Sequence, residues 1–240
     1  MADTRALDAD LGRGPGGGAA ARGHRARLGP LGALLAMVGA GASSGLAARV
    51  VLDAVGGVDA AGWVLARASG VTAYVLLLAL VMTGLVLAHP WARHLQRPAP
   101  ATRLVVHASL ATFTSAFTVL HVVVLATDPW AQVGWRGALL PMASVYRPVP
   151  VTLGVLAVWA GLVTGATARW AGRIGRAWLP VHRAALTVFV LVWAHGVLAG
   201  TDTSALRGFY VATGAAVLGL AVSRYGARTP AERAALGGAS

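Results

Sequence analysis

Six stretches of the chain are apolar over 18 to 24 residues, at residues 30–50, 65–88, 104–126, 150–168, 181–200 and 206–223. A helix needs about 20 such residues to cross a lipid bilayer. Only 12% of the 240 residues are charged, whereas soluble proteins carry about 25%. Hydrocarbon also favours helices, because each backbone N–H and C=O must then bond within its own segment. The sequence therefore predicts an all-α membrane protein, a bundle of six transmembrane helices.

The two ends of the chain differ from this bundle in composition. Residues 1–29 are rich in arginine and glycine, and we expect them to be a disordered tail. The predicted bundle covers residues 30–224, and residues 225–240 form a second tail. The tail and residues 30–50 together also resemble a cleaved signal peptide in part, because basic residues precede an apolar run that ends in small residues at 45–48. Their length favours a retained first span.

The arginines predict the orientation of the spans. All 20 basic residues are arginine. With alternating spans, fifteen of them fall on one side, in both tails and in the loops after the second and fourth spans. The other five are Arg49, Arg67, Arg136, Arg147 and Arg207. Because basic loops stay on the cytoplasmic side, we expect both termini in the cytoplasm.

The same composition indicates a location and a partner. The net charge of +12 is explained by topology and by attraction to anionic membrane lipid, so nucleic acid is not predicted as a partner. Lysine and asparagine are absent while alanine, glycine and arginine are abundant, a bias typical of a GC-rich genome. We therefore predict a multi-pass protein of the plasma membrane of a GC-rich bacterium.

Few residue types remain for chemistry inside the predicted spans. Cysteine is absent, which excludes disulfides, thiolate zinc sites, iron–sulfur clusters and covalently attached c-type haem. The carboxylates fall in the tails and in the predicted outer loops. Proton relays within membranes generally use Asp, Glu or His, so histidine is the one candidate type within the spans.

Four histidines lie at matched depths on two spans. His107 and His121 are 14 residues apart on the third span, and His182 and His195 are 13 apart on the fifth. At 1.5 Å per residue these spacings are about 21 Å and about 20 Å. Both spans run outward from the cytoplasm, so each depth offers one imidazole from each span. This geometry predicts two stacked b-type haems, since imidazole is a common ligand of haem iron.

Two features of the histidines leave alternatives open. Thirteen residues place His182 and His195 about 140° apart on an ideal helix, so either the fifth span is distorted or the haems approach it from different sides. Any single histidine also has a structural interpretation, as a ring hydrogen-bonded to backbone at the membrane interface. For His89 and His94, which flank the inner end of the second span, that structural role is the prediction.

With these spacings the sequence resembles the ferric reductase-like transmembrane domain family. The family includes NADPH oxidases, ferric reductases and the haem-binding membrane subunit of bacterial methionine sulfoxide reductase systems. The resemblance covers about residues 63–200, and the spacing of 13 on the fifth helix belongs to the family pattern. It implies that His107 and His182 hold an inner haem and that His121 and His195 hold an outer haem.

The resemblance further implies an oxidoreductase membrane component that moves electrons to an acceptor outside the cytoplasm. Oxidases and ferric reductases of this type continue into a cytoplasmic domain that binds FAD and NAD(P)H. No such domain follows the sixth span in these 240 residues, so we expect a separate flavoprotein reductase or a quinol as donor, or a bound flavin. Alternatives are a subunit with one haem plus flavin or quinone, a histidine-lined metal transporter, and a structural subunit without haem.

Other residues have predicted supporting roles. Arg103 and Arg183, beside the inner histidines, and Arg67, at the outer end of the second span, suit anionic haem propionates; Arg103 and Arg183 equally suit a role at the membrane surface. Four aromatic residues between the two depths are expected to pack on porphyrins or within the bundle: Phe113, Phe117, Phe189 and Trp193. The outer loop 127–149 is expected to cap the outer haem or to lie in the membrane interface.

Overall fold

The structure, a computed structural model, describes residues 61–95 and 98–226, and these residues form helices with no β-strand among them. The α-helices are α1 (Ala61–Ala88), α2 (Pro100–Thr127), α3 (Gly134–Leu139), α4 (Pro148–Arg169), α5 (Ala171–Ile174), α6 (Trp178–Arg183), α7 (Ala185–Ala199) and α8 (Thr203–Gly226). Short 3-10 helices cover Pro90–His94, Pro129–Ala131 and Gly175–Ala177. The predicted tail 1–29, the predicted first span and residues 227–240 lie outside the described residues.

Five helical segments are long and apolar enough to cross a membrane. They are α1, α2, α4, the run from α5 through α7, and α8. Their lengths of 22 to 29 residues correspond to about 33–44 Å, which exceeds the hydrocarbon core of about 30 Å. Apolar side chains point outward from the bundle, as at Val105 and Leu218, which are 64% and 65% exposed. The prediction of an all-α protein is confirmed for the described residues, and these five segments fit a multi-pass membrane protein. The first span, at residues 30–50, and the side of the termini stay predictions.

Proline and glycine mark the ends of these helices. Pro100 and Pro148 each lie in the first turn of their helix, where a missing N–H costs nothing. Asp128 caps the short helix after α2, because its carboxylate accepts a hydrogen bond from the Trp130 N–H at 3.0 Å. Gly200 follows α7 in an extended conformation and ends it.

The fifth predicted span differs most from the structure. It is predicted to begin at residue 181, whereas the helical run begins at Ala171 and is interrupted before α7. The arginines of this segment lower its hydropathy, but hydropathy measures residence in lipid and not helix formation. Gly175, with φ of +66°, and Pro180 explain why the run is broken into short pieces.

Close packing joins the helices in two pairs, α1 with α2 and α4 with α7, and α8 contacts both α1 and α7. One buried cluster ties three of these helices together. Its residues are Tyr74, Leu77, Val81 and Leu85 of α1, Phe189 of α7, and Tyr210 and Val217 of α8. This packing leaves a slot between the two pairs, and the four histidines lie along it.

Candidate functional site

The four histidines of the spans meet as two pairs across the slot. The ring centroids of His107 and His182 are 6.2 Å apart, and their planes are inclined by 71°. The centroids of His121 and His195 are 6.5 Å apart, with the planes inclined by 78°. Each pair joins α2 to the run from α5 through α7. The structure therefore brings together one imidazole from each helix at each of two depths.

Both pairs line one elongated apolar cavity of about 510 Å³. The cavity reaches from Ala88, Arg183 and Tyr225 at one end to Trp63 and Asp202 at the other. Cavities of 300–1,000 Å³ lined by apolar groups with a few polar ones are typical of ligand sites. The four histidines are the side chains of this lining whose nitrogen atoms can bind a metal.

A break in the run from α5 through α7 explains how both of its histidines face α2. His182 is on α6, His195 is on α7, and Ala184 lies between the two helices. On an ideal helix the two side chains would point about 140° apart. Of the two interpretations open in the sequence, distortion of this helix is the one that the structure has.

We name the pairs by the predicted orientation, His107 and His182 as the inner pair and His121 and His195 as the outer pair. The outer pair has its second ring nitrogens fixed by backbone. His121 Nδ1 lies 2.8 Å from the carbonyl oxygen of Ala66, and His195 Nδ1 lies 2.8 Å from that of Pro150. A carbonyl oxygen only accepts hydrogen bonds, so each Nδ1 carries the proton and donates it. In a neutral imidazole Nε2 then keeps its lone pair, which is the state needed to bind a metal.

The inner pair is held less completely. His107 Nδ1 is 3.2 Å from Thr83 Oγ1. The Thr83 hydroxyl donates to the carbonyls of Ala79 and Leu80, both at 2.9 Å, so it accepts from His107 Nδ1–H. His182 Nδ1 is buried and has no hydrogen-bond partner among the described residues. Each pair defines one level of the slot. The two levels thus differ in how firmly their imidazoles are oriented.

The three predicted arginines occupy different environments. Arg67 lines the outer end of the cavity and forms an ion pair with Asp202, just before α8; both side chains are about 40% exposed. Arg183 lines the inner end and is exposed. Arg103 donates to the carbonyls of Ala92, Leu95 and Pro98, so its guanidinium holds the segment before α2 and lies outside the cavity lining.

The aromatic residues predicted between the two levels pack within the bundle or face outward. Phe113 is 58% exposed, and Phe189 is buried against Tyr74. Phe117 packs beside Leu120 and Val124. Trp193 donates to the Tyr210 carbonyl at 2.9 Å. Helix packing, one of the two roles expected for them, accounts for these contacts.

The outer loop closes one end of the cavity. Ala131, Val133, Ala138 and Tyr146 contribute to the lining there. The Tyr146 hydroxyl donates to the carbonyl of Ala199 at 3.0 Å, which ties the loop to the end of α7. The loop therefore separates the outer histidine pair from the space beyond it.

His89 has a structural contact, as its position predicts. It is buried at the inner end of α1, and its Nε2 lies 3.1 Å from the Ser223 hydroxyl on α8. Its ring also packs against Trp91. His94 is exposed at the end of the following 3-10 helix. Neither histidine lines the cavity.

Sequence reasoning missed the partners of the histidines. The carbonyls of Ala66 and Pro150 are backbone groups and leave no signal in residue type. Thr83 is one threonine among several in the spans. The sequence places Asp202 in a predicted outer loop. The signal that it pairs with Arg67 is that both residues lie at the outer ends of predicted spans.

Each histidine pair has the ring separation expected of two imidazoles bound to one metal. A metal–imidazole bond of about 2 Å, with the ring centre about 1 Å beyond the nitrogen, gives about 6 Å between two rings bound to one metal. The observed 6.2 Å and 6.5 Å agree with this sum. The described residues hold no cluster of three or more His, Cys, Asp or Glu side chains. Two imidazoles per level suit a metal that brings its other ligands with it.

No protein-family model, curated protein or solved structure matches this chain. The resemblance to the ferric reductase-like transmembrane domain family therefore stays a prediction. It rests on the spacing of four histidines and on the expected number and direction of the spans.

Proposed function

We propose that this chain is a membrane cytochrome b that binds two haems and passes electrons across the bilayer. In the proposed topology residues 30–50 complete a six-span bundle with both termini in the cytoplasm. The proposed location is the plasma membrane of a GC-rich bacterium. The observation that carries the proposal is the presence of two imidazole pairs, each at the ring separation of a bis-imidazole metal site.

In this proposal His107 and His182 hold the inner haem iron, and His121 and His195 hold the outer one. Haem bound by two imidazoles supplies a one-electron carrier at each level. The chain itself orients three of the four rings through Nδ1, surrounds all four with apolar side chains and closes the outer end with residues 128–147. These contributions keep Nε2 directed across the slot and limit access of water to it.

Charged residues at the two ends of the cavity support the same proposal. Haem propionates are anionic, and Arg183 and Arg67 line the inner and outer ends. We propose that both contribute to propionate binding, Arg67 in competition with its partner Asp202. We propose that Arg103 adds positive charge near the propionates of the inner haem. It does so from the segment before α2, which its hydrogen bonds stabilise.

The proposed donor is on the cytoplasmic side, either a separate flavoprotein reductase or a quinol, and the proposed acceptor lies outside the cytoplasm. Membrane lipid surrounds the bundle, and nucleic acid has no role in the proposal. In this scheme the chain is the membrane component of an oxidoreductase, resembling the membrane domain of ferric reductases.

A second candidate is a subunit with one haem and a flavin or quinone. The difference between the two histidine levels favours it, because only the outer rings both donate Nδ1–H to backbone. In that case the outer pair holds the haem, and the inner part of the cavity takes the second cofactor. A third candidate, a metal transporter, needs ligands beyond the two imidazoles of each level.

Haem content of the purified full chain, expressed with ample haem, tests the proposal. We expect two haems per chain, a b-type reduced-minus-oxidised spectrum, and one haem per chain in His107→Ala and in His121→Ala. The control His94→Ala changes an exposed histidine outside the cavity and should keep both haems. Wild-type protein with one haem favours the second candidate. Wild-type protein without haem, or full content in both variants, overturns the ligand assignment.

A further inference from the structure

Three glycines on neighbouring helices lie directly against histidine rings. A Cβ atom at Gly70 would lie 2.8 Å from His121 Cε1, and one at Gly154 would lie 2.9 Å from His195 Nδ1. At Gly84 the corresponding distance is 3.1 Å, to His107 Cε1. Real Cβ atoms essentially never lie within 3.0 Å of a heavy atom to which they are not linked through the local chain. Alanine at Gly70 or Gly154 would therefore displace the ring.

Gly70 and Gly154 have the same position along their helices relative to the carbonyl that accepts the Nδ1 proton. Gly70 follows Ala66 by four residues, and Gly154 follows Pro150 by four. In an α-helix the Cβ of a residue points towards the N-terminus, over the carbonyl four residues earlier. A glycine there leaves the carbonyl open to a donor from a neighbouring helix.

At the inner level a glycine again follows a carbonyl by four residues, but a hydroxyl lies between that carbonyl and the imidazole. Gly84 follows Leu80 by four residues, and the carbonyl of Leu80 accepts from the Thr83 hydroxyl at 2.9 Å. His107 Nδ1 bonds that hydroxyl, at 3.2 Å. The fourth ring, of His182, has no glycine against it and no Nδ1 partner among the described residues.

We propose that Gly70, Gly84 and Gly154 are positioning residues, which admit three imidazoles to their Nδ1 acceptors and thereby direct Nε2 across the slot. The inference rests on the proposed function for its haem readout, although the orientation of the rings is a property of the chain alone. Their contacts with histidine rings distinguish these glycines from glycines that merely permit close helix packing. Gly165 on α4 and Gly219 on α8 have no atom within 4 Å of an added Cβ.

Alanine substitutions at single glycines test the proposal, because each should weaken haem binding only at the histidine pair that its glycine contacts. We expect Gly70→Ala and Gly154→Ala to weaken binding of the outer haem about 10- to 100-fold, the cost typical of losing a group that orients a metal-ligating histidine. Gly84→Ala should perturb the inner haem, and less strongly, because its contact is longer. Spectra of the His121→Ala and His107→Ala proteins identify which signal belongs to which level.

Matched controls separate positioning from stability. Gly165→Ala and Gly219→Ala should keep both haems and unshifted spectra. A loss confined to one level, in protein with unchanged helix content, supports positioning. Equal loss of both haems in each variant would indicate general destabilisation, and unchanged haem binding in all three would also overturn the proposal.

A measurement without haem distinguishes failure of this inference from failure of the proposed function. Nitrogen NMR of histidine in the apoprotein reports which ring nitrogen is protonated. We expect the Nδ1–H form at His121 in the wild type and its loss in Gly70→Ala. If the chain binds no haem but this change occurs, the proposed function fails and the positioning role stands. If the form is unchanged in Gly70→Ala, the positioning role fails.

Discussion

Among single residues, the acceptor of each Nδ1 proton decides how firmly an imidazole is held. The carbonyls of Ala66 and Pro150 are part of a helix backbone and cannot rotate away from His121 and His195. The Thr83 hydroxyl, which serves His107, can rotate. A histidine that donates its second N–H becomes a more basic metal ligand, so the outer level is expected to bind haem more tightly than the inner level.

Thr83→Val should affect only the inner level. Valine keeps the shape of threonine but removes the acceptor, so His107 becomes a less basic ligand and the inner haem is expected to shift to a more positive midpoint potential. Its affinity should fall about 10-fold. The matched control is Thr72→Val, which removes an exposed hydroxyl that bonds only within α1. Redox titration with optical detection measures both; an unchanged inner potential would contradict this role for Thr83.

The sequence identified the histidines because residue type and spacing carry their signal. It could not identify what orients them, since the acceptors are backbone carbonyls and one hydroxyl among many. It also could not exclude the aromatic residues between the two levels: Phe189 has the right depth, and only the packing of α1 against α7 decides that it lies in the buried cluster.

Between whole helices, α8 is held to the bundle by polar contacts as well as by apolar ones. The Tyr74 hydroxyl on α1 lies 2.6 Å from Thr213 Oγ1 on α8. The Thr213 hydroxyl donates to the Phe209 carbonyl at 2.8 Å, so Tyr74 is the donor between the helices. Ser223 and His89 connect the same two helices near the inner end.

Removing the hydrogen bond between α1 and α8 should weaken the bundle slightly. Tyr74→Phe and Thr213→Val are each expected to destabilise the protein by about 1 kcal/mol, near the upper part of the range for such bonds in membranes. A double-mutant cycle in unfolding experiments isolates the interaction. Additive effects of the two substitutions would show that the hydroxyls do not interact.

The spans themselves were largely predictable, because lipid requires long apolar helices and the hydropathy of the chain records this. The ends of α1, α2, α4 and α8 lie within about four residues of the predicted bounds. The fifth span was predicted to begin ten residues too late, since its arginines hide a helical segment. Its break at Ala184, between α6 and α7, leaves no comparable signal at that residue.

For the whole molecule, the orientation in the membrane is the prediction with the most direct test. The chain has no cysteine, so one introduced cysteine is a unique label. In intact spheroplasts an impermeant maleimide should modify Trp130→Cys, at a side chain that is 77% exposed, but not Arg176→Cys. After permeabilisation both should react. The reverse pattern in intact cells would place the termini outside.

The stacking of the histidine pairs has an electrical consequence. Levels about 21 Å apart span about two-thirds of a hydrocarbon layer that is about 30 Å thick. A unit charge crossing the full layer at 100 mV exchanges about 2.3 kcal/mol with the field, so the step between levels exchanges about 1.6 kcal/mol. In the proposed function electrons move outward, so a membrane potential that is negative inside favours their flow, and each turnover discharges part of that potential. Turnover in vesicles should therefore respond to an imposed voltage even when donor and acceptor are saturating.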